Sequence, residues 1–311
     1  MGQALIPLSI IYNQKSGFHA NHQESVYEKI MTLWSEAGFS IQSFEMGEHA
    51  HFQQMMQHVL QRHQQQPQGV VVAAGGDGTL NAVAAYLMHS PIKMGILPLG
   101  TFNYVARVLG IPLDLTEAAQ VIVAGHTTSV HVARLNQYIY LNNASLGLYP
   151  LFIEKRERYN GYWGRLTINA YTSGLDVLIR DRKELKLEVD VDGQRYPVKT
   201  PLVFFGNNQL QLQELNLKIA KDAAQGKVAG VVVAKSDKKT LFKLLWQLIR
   251  GQLERTPEIY SFAADQVVIH SKAKKLSLAI DGELVQVNPP LKIWVDHAAL
   301  KVVVPDVTAS F

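Results

Sequence analysis

The sequence predicts an α/β nucleotide-binding domain on a mainly parallel sheet, joined to a second, all-β domain of the antiparallel sandwich type. Over roughly the first 130 residues, short apolar runs alternate with segments of helical periodicity, the pattern of strand–helix–strand units and parallel pairing. One of these runs, Val70 to Ala74, is apolar at every position, as a strand covered on both faces must be. From about Thr128 the helical periods give way to alternating strands and Asp-Gly turns, which favour two-residue hairpins.

The elements follow in order. Leu8 to Tyr12 is a strand. Asn21 with Glu24 has the spacing of a capping box and opens a helix with Val26, Ile30, Leu33, Trp34 and Ala37 on one face, ended by Gly38. Ile41 to Phe44 is a short strand, and Phe52, Met56, Val59 and Leu60 mark a second helix. The Gln64–Pro67 turn leads into the strand at Val70. Helix 80–89, strand 93–97, helix 102–109 and helix 116–124 complete the first domain. In the second, Val130 to Leu135 and Tyr138 to Leu141 form a hairpin around Asn136-Gln137. The alternation Leu185, Leu187, Val189, Val191 runs into the turn Asp192-Gly193. Strands at 201–205, 228–234, 267–270, 276–280 and 293–295 continue the sandwich.

Ligands of open α/β sheets bind outside the carboxyl ends of the strands, and three loops with phosphate-binding chemistry fall there. Gly75-Gly76-Asp77-Gly78-Thr79-Leu80-Asn81 follows the buried strand. Glycines let a phosphate approach the backbone, a helix start favours negative charge, and Asp77 adds a carboxylate for Mg²⁺. Pro98-Leu99-Gly100-Thr101-Phe102-Asn103-Tyr104-Val105-Ala106-Arg107 follows the next strand, and Asn13-Gln14-Lys15-Ser16-Gly17 follows the first. The run at Gly75 is neither a P-loop, lacking Gly-Lys-Ser/Thr, nor the dinucleotide GxGxxG. Asn103 either contacts a nucleotide or caps a helix. Arg107 reads better as the end of a helical face than as a phosphate partner.

These motifs resemble the diacylglycerol kinase catalytic-domain family. GGDGT is also found in sphingosine, ceramide and NAD kinases, whereas the P-x-G-T-x-N-x-x-A-R element separates the lipid kinases from NAD kinases. Leu141 to Gly147 and Phe205-Gly206-Asn207-Asn208 are similar to the bacterial members. The resemblance implies an ATP-dependent, Mg²⁺-requiring lipid kinase, with diacylglycerol the default acceptor. Asn13, Ser16, Gly17, Gly75, Gly76, Asp77, Gly78, Thr79, Leu80, Asn81, Thr101 and Asn103 would form the ATP site, with Asp77 holding the metal. Asp281-Gly282-Glu283 reads on composition as a hairpin turn; the resemblance makes Asp281 or Glu283 the general base. It also implies that the final strands near 291–306 return to the first domain, 1–128, and that the sandwich, 129–290, contributes the base and the lipid site.

Two departures from the family pattern matter. Ala223-Ala224-Gln225-Gly226 stands where many bacterial members carry an acidic structural-metal element, with Asp222 out of register, so that Mg²⁺ site is expected to be lost or weakened. Met46 takes the place of a threonine after the second strand. A non-catalytic nucleotide-binding regulator, or a kinase for a soluble acceptor such as NAD, is the alternative.

With 47% hydrophobic and 18% charged residues, the 311-residue chain has a globular composition. The formal charge of +4 is modest, and no motif points to nucleic acid. There is no cysteine, which excludes disulfide and thiolate chemistry and fits a reducing compartment. With no apolar run of roughly 18–20 residues and no secretory pattern, a cytoplasmic protein with peripheral membrane contact is expected. A homodimer is one assembly the sequence allows. Residues 151–181 and 238–250 mix basic and aromatic residues at helical spacing, which suits either amphipathic helices packed on the sandwich or membrane-surface helices. The eleven histidines lack metal-site spacing, and His49, His51, His58 and His63 are expected to face solvent.

Overall fold

The computed structural model describes residues 5–13, 24–47, 49–66, 68–147, 184–214, 217–234 and 259–306. The basic, aromatic stretches 151–181 and 238–250 lie outside the described residues, as do Asn21, Ser16 and Gly17. The chain divides into two compact units: one takes the residues up to His131 and from His297 onward, the other those from Val132 to Asp296.

In the first unit, β1 (Ile6–Tyr12), β2 (Phe39–Glu45), β3 (Val70–Gly75) and β4 (Lys93–Pro98) form a parallel sheet in the order β2-β1-β3-β4. β3 is buried at all six positions, as its unbroken apolar run requires. Between the strands run α1 (Glu24–Glu36), α2 (His49–Gln64) and α3 (Asp77–Leu87), and after β4 come α4 (Tyr104–Val108) and α5 (Leu115–Ala124). Trp34 of α1 is fully buried and donates its indole N–H to the Ala119 carbonyl at 3.1 Å, so the ring's polar edge is satisfied inside the core. Asp114 caps α5 by accepting the N–H groups of Thr116 and Glu117. Gly125, in the left-handed region, ends it, the usual C-terminal device.

His63 corrects the expectation that the helix histidines face solvent. It is fully buried, because it continues the stripe Phe52, Met56, Val59 at helical spacing on α2. Its Nε2 lies 3.0 Å from Ser9 Oγ, which also accepts from Arg62 Nη1 at 2.8 Å. The serine proton is thereby left for the imidazole, which acts as a neutral acceptor. Burial, then the Arg62 charge, lowers the His63 pKa to about 4.

β5 (Thr127–Leu135), whose residues from Val132 on belong to the second unit, and β6 (Tyr138–Tyr140) make the hairpin around Asn136. The hairpin β8 (Leu185–Val191) and β9 (Gln194–Thr200) turns at Asp192-Gly193, with β13 (Gln266–Ser271) antiparallel to β8 and to the start of β16 (Leu291–Val303). A six-stranded antiparallel sheet runs β12-β11-β10-β7-β14-β15: β12 (Ile259–Ala264), β11 (Val228–Val233), β10 (Leu202–Gly206), β7 (Asn143–Gly147), β14 (Leu276–Ile280), β15 (Glu283–Val287). Ala144 and Leu146 of β7, Val203 and Phe205 of β10 and Leu278 of β14 enter one apolar core with Val189, Ile269 and Ile293. The period of two that places these residues inside places Asn143 and Ser145 on the other face. Phe204 and Val231, on that face, pack in a smaller cluster with Leu212 of α6 (Gln209–Glu214) and Ala220 and Ala223 of α7 (Ala220–Ala224).

Candidate active site

The glycine-rich turn at Gly75 and the loop that starts at Pro98 meet in the first unit, at the carboxyl ends of β3 and β4. Gly75 pairs with Pro98, and its carbonyl accepts the Leu99 N–H at 3.0 Å. A Cβ on Gly100 would stand 2.6 Å from Gly76 Cα and 2.7 Å from Asn103 Oδ1. Only glycine allows the two backbones this close. Asn13 follows Tyr12, which pairs with Ala74, so it leaves β1 at the same end of the sheet.

Asp77 opens α3. Its carboxylate accepts the N–H groups of Tyr104 at 3.3 Å and Val105 at 3.1 Å, capping α4 from another loop. Asn103, at the N-cap position of α4 with left-handed backbone (φ 49), makes no side-chain cap. Its amide instead clamps the loop, accepting from Gly100 N and donating to Gly100 O, both at 2.8 Å. Of the two roles open to Asn103, helix capping is therefore taken by Asp77. No local sequence signal marks this cross-loop cap, because Asp77 lies 27 positions before Tyr104. Gly76 brings no side chain to the start of α3, so the first amides of that helix keep their positive end for an anion. Thr79 is buried against Gly75, Leu80 is buried, and Asn81 lies one turn into α3. Thr101 is exposed. The Phe102 ring stacks on Tyr104 at 5.8 Å, and Arg107, in the last turn of α4, lies over Tyr104.

In the second unit, Asp281-Gly282 forms the β14–β15 hairpin turn, with φ 45 and 88, the counterpart of Asp192-Gly193 at 49 and 88. Both aspartates also anchor a neighbouring segment. Asp192 accepts from Asp265 N and Gln266 N. Asp281 accepts from Leu141, Asn142 and Asn143 N at 2.8 to 2.9 Å. Tyr140, buried beside it, has its phenol pKa raised by burial and then by the Asp281 charge. Glu283, two residues on, is exposed, and its carboxylate meets no partner among the described residues. Asp222 lies on α7, half-buried, beside buried Ala223. The Met46 N–H donates to the Tyr12 carbonyl at 2.7 Å.

Residues 7–135 match the family model of the diacylglycerol kinase catalytic domain, and residues 161–304 that of the YegS C-terminal NAD kinase beta sandwich-like domain. A diacylglycerol kinase of Staphylococcus aureus (strain bovine RF122 / ET3-1) is 31% identical over 220 residues, which cover 69% of this chain and 68% of the relative. The chain belongs to the diacylglycerol kinase family. A relative from S. aureus strain JH9 agrees to the same extent, with 31% identity over 69% of the chain. At the level of fold, the chain is similar to the crystal structure of a diacylglycerol kinase from Bacillus anthracis str. Sterne, with TM-score 0.71 and 21% identity over 99% of this chain and 100% of that one. A second structure from the same organism gives TM-score 0.72 at 19% identity over 98% and 97%. Membership makes the chain a kinase homologue. Among the described residues no helix is long and apolar enough to cross a membrane.

Proposed function

We infer that this family member is an ATP-dependent lipid kinase, transferring the γ-phosphate of ATP to a lipid hydroxyl. The observation that carries the reading is the locked pair of loops in the first unit. Gly75, Gly76 and Gly78 leave the backbone bare, the amide end of α3 attracts anionic oxygens, and Asp77 and Asn103 hold both loops in one shape. A cradle fixed before the nucleotide arrives loses little on binding and keeps its dipoles aimed at the charge that develops. Asn13, Ser16, Gly17, Thr79, Leu80, Asn81 and Thr101 belong to the same nucleotide site in this reading.

The donor set suits Mg²⁺, which takes one or two carboxylates plus substrate phosphates rather than an all-protein cage. Asp77 is a single carboxylate whose two oxygens each accept one N–H, leaving lone pairs on both. A bound Mg²⁺ supplies neutralisation of the phosphate charge. The protein's own residues orient the reactants. The acceptor oxygen forms the new bond to the γ-phosphorus as the bridge to the β-phosphate breaks, ADP leaves with that electron pair, and the hydroxyl proton passes to a carboxylate. Glu283 is the better base of the two candidates. Asp281 is spent on three backbone amides, whereas Glu283 is exposed and uncommitted.

A lipid rather than NAD as the acceptor is supported by the Pro98–Arg107 element, P-x-G-T-x-N-x-x-A-R, which NAD kinases lack. The test is incubation with [γ-³²P]ATP, Mg²⁺ and a fractionated lipid extract, with NAD in a parallel arm. Label in a lipid fraction supports the reading; label in NAD alone, or nucleotide binding with no labelled acceptor, contradicts it.

A further inference from the structure

The outer face of β7 carries two polar atoms that the fold leaves unsatisfied. Asn143 is 6% exposed and Ser145 not at all. Neither Asn143 Oδ1 nor Ser145 Oγ meets a hydrogen-bond partner among the described residues. They stand two residues apart on one strand, hence on the same face. Burying such groups unpaired is costly, so a fold that keeps two side by side has a use for them.

The orientation of the asparagine is held by two hydrogen bonds. Its backbone N–H is bonded to Asp281 Oδ1 at 2.8 Å, fixing the strand end. Its Nδ2 donates to Gln211 Oε1 at 2.9 Å, which leaves Oδ1 as the free acceptor. Gln211 sits on α6, whose start is capped by Asn208, the Gln211 N–H donating to Asn208 Oδ1 at 3.1 Å. Gly206, the partner of Asn143 on β10, lies so close to Leu212 that a Cβ there would come within 2.5 Å of the leucine. That approach brings α6 down onto the sheet beside Asn143, and half-buried Gln211 is the more exposed member of the amide pair.

We propose that Asn143 and Ser145 recognise a second hydrogen-bond donor on the acceptor lipid, a hydroxyl or amide N–H distinct from the hydroxyl that is phosphorylated. This rests on the lipid-kinase reading and sharpens it. Asn143 Oδ1 accepts and cannot donate. The single hydroxyl of a diacylglycerol is consumed by the reaction, and its ester carbonyls offer no proton. A monoacylglycerol keeps a free hydroxyl, and an N-acylsphingosine keeps a hydroxyl and an amide N–H. A site with a buried acceptor discriminates against the lipid that leaves it unpaired. Gln211 acts as a positioning residue, through the asparagine amide.

The test compares kcat/KM for dioleoylglycerol, 1-monooleoylglycerol and N-oleoylsphingosine in the same mixed micelles. The proposal expects at least one of the two donor-bearing lipids to be favoured roughly tenfold or more over the diacylglycerol. Asn143→Leu removes that preference, bringing the kcat/KM ratio of the favoured donor-bearing lipid to dioleoylglycerol down roughly tenfold, toward one. Ser145→Ala narrows the preference without lowering Tm, since it deletes an unpaired group, and Gln211→Leu narrows it too. Equal or better use of dioleoylglycerol by the wild type overturns the proposal, and so do Asn143→Leu and Ser145→Ala variants that lower Tm and slow all three lipids alike, the mark of a packing or internal-water role. Label in none of the three lipids, nor in a total lipid extract, overturns the kinase reading itself and this inference with it.

Discussion

The Asp77 carboxylate accepts the Val105 N–H at 3.1 Å, tying the turn after β3 to the helix after β4. One side chain thus ties the two loops together and, in the proposed function, also carries the charge that would hold the metal. The two duties separate by substitution. Asp77→Asn keeps an oxygen for the α4 amides but loses the charge, and is expected to fold normally with at least a hundredfold loss of phosphoryl transfer, about 3 kcal/mol of transition-state stabilisation. Asp77→Ala is expected to lose activity and a further 1–2 kcal/mol or so of stability through the missing cap. Denaturant unfolding beside a vesicle phosphorylation assay checks both; near-normal turnover in either variant contradicts the assignment.

Gly100→Ala tests the close approach of the loops. With Gly76 Cα 2.6 Å from the new Cβ, the backbones must part, at a cost of about 1–3 kcal/mol, and ATP affinity should fall in proportion. Titration with a fluorescent ATP analogue reads the affinity, and unchanged binding would show that the loops do not need their present spacing.

The DGE carboxylates should separate by stability. Asp281→Ala leaves three amides of residues 141–143 without their charged acceptor and is expected to cost about 3 kcal/mol or more. Glu283→Gln, at an exposed position, should leave stability within about 0.5 kcal/mol yet abolish transfer. Full activity of Glu283→Gln would move the base elsewhere.

Buried His63 gives the first unit an acid sensitivity. Its folded pKa of about 4 lies below the ordinary value near 6.5, so between these values the unfolded chain binds more protons. The contribution is therefore complete above pH 6.5 and is lost as pH falls toward 4, roughly 3 kcal/mol over the window. Melting curves at pH 7.5 and 5 should show a larger drop for the wild type than for His63→Gln; equal drops would place the sensitivity elsewhere.

Much of this was legible in the chain because the signals were local. An apolar run such as Val70 to Ala74 declares a buried parallel strand, and an Asp-Gly pair declares a turn. What stayed hidden depends on residues far apart in sequence. Asp77 capping α4, Asp281 gathering the amides of 141–143, and Ser9 meeting His63 across 54 positions are products of assembly. His63 was the readable exception, since its spacing from Met56 and Val59 already placed it on the apolar stripe. Strand β12 was missed because its pattern, half-buried or exposed at five of six positions, lacks a clean alternation. The hairpin turn and the family's DGE element also proved to be one object: Asp281 forms the turn and anchors the neighbouring strand end, which no composition rule foretells.

The most direct test of the kinase assignment is a single-turnover experiment with enzyme in excess over [γ-³²P]ATP, Mg²⁺ and lipid vesicles, run on wild type and Glu283→Gln with nucleotide binding measured in parallel. The expected result is one phosphorylated lipid per ADP formed by the wild type, and an unchanged ATP affinity without labelled lipid in the variant. ADP appearing with free phosphate and no labelled lipid, or equal lipid labelling by both proteins, would contradict it.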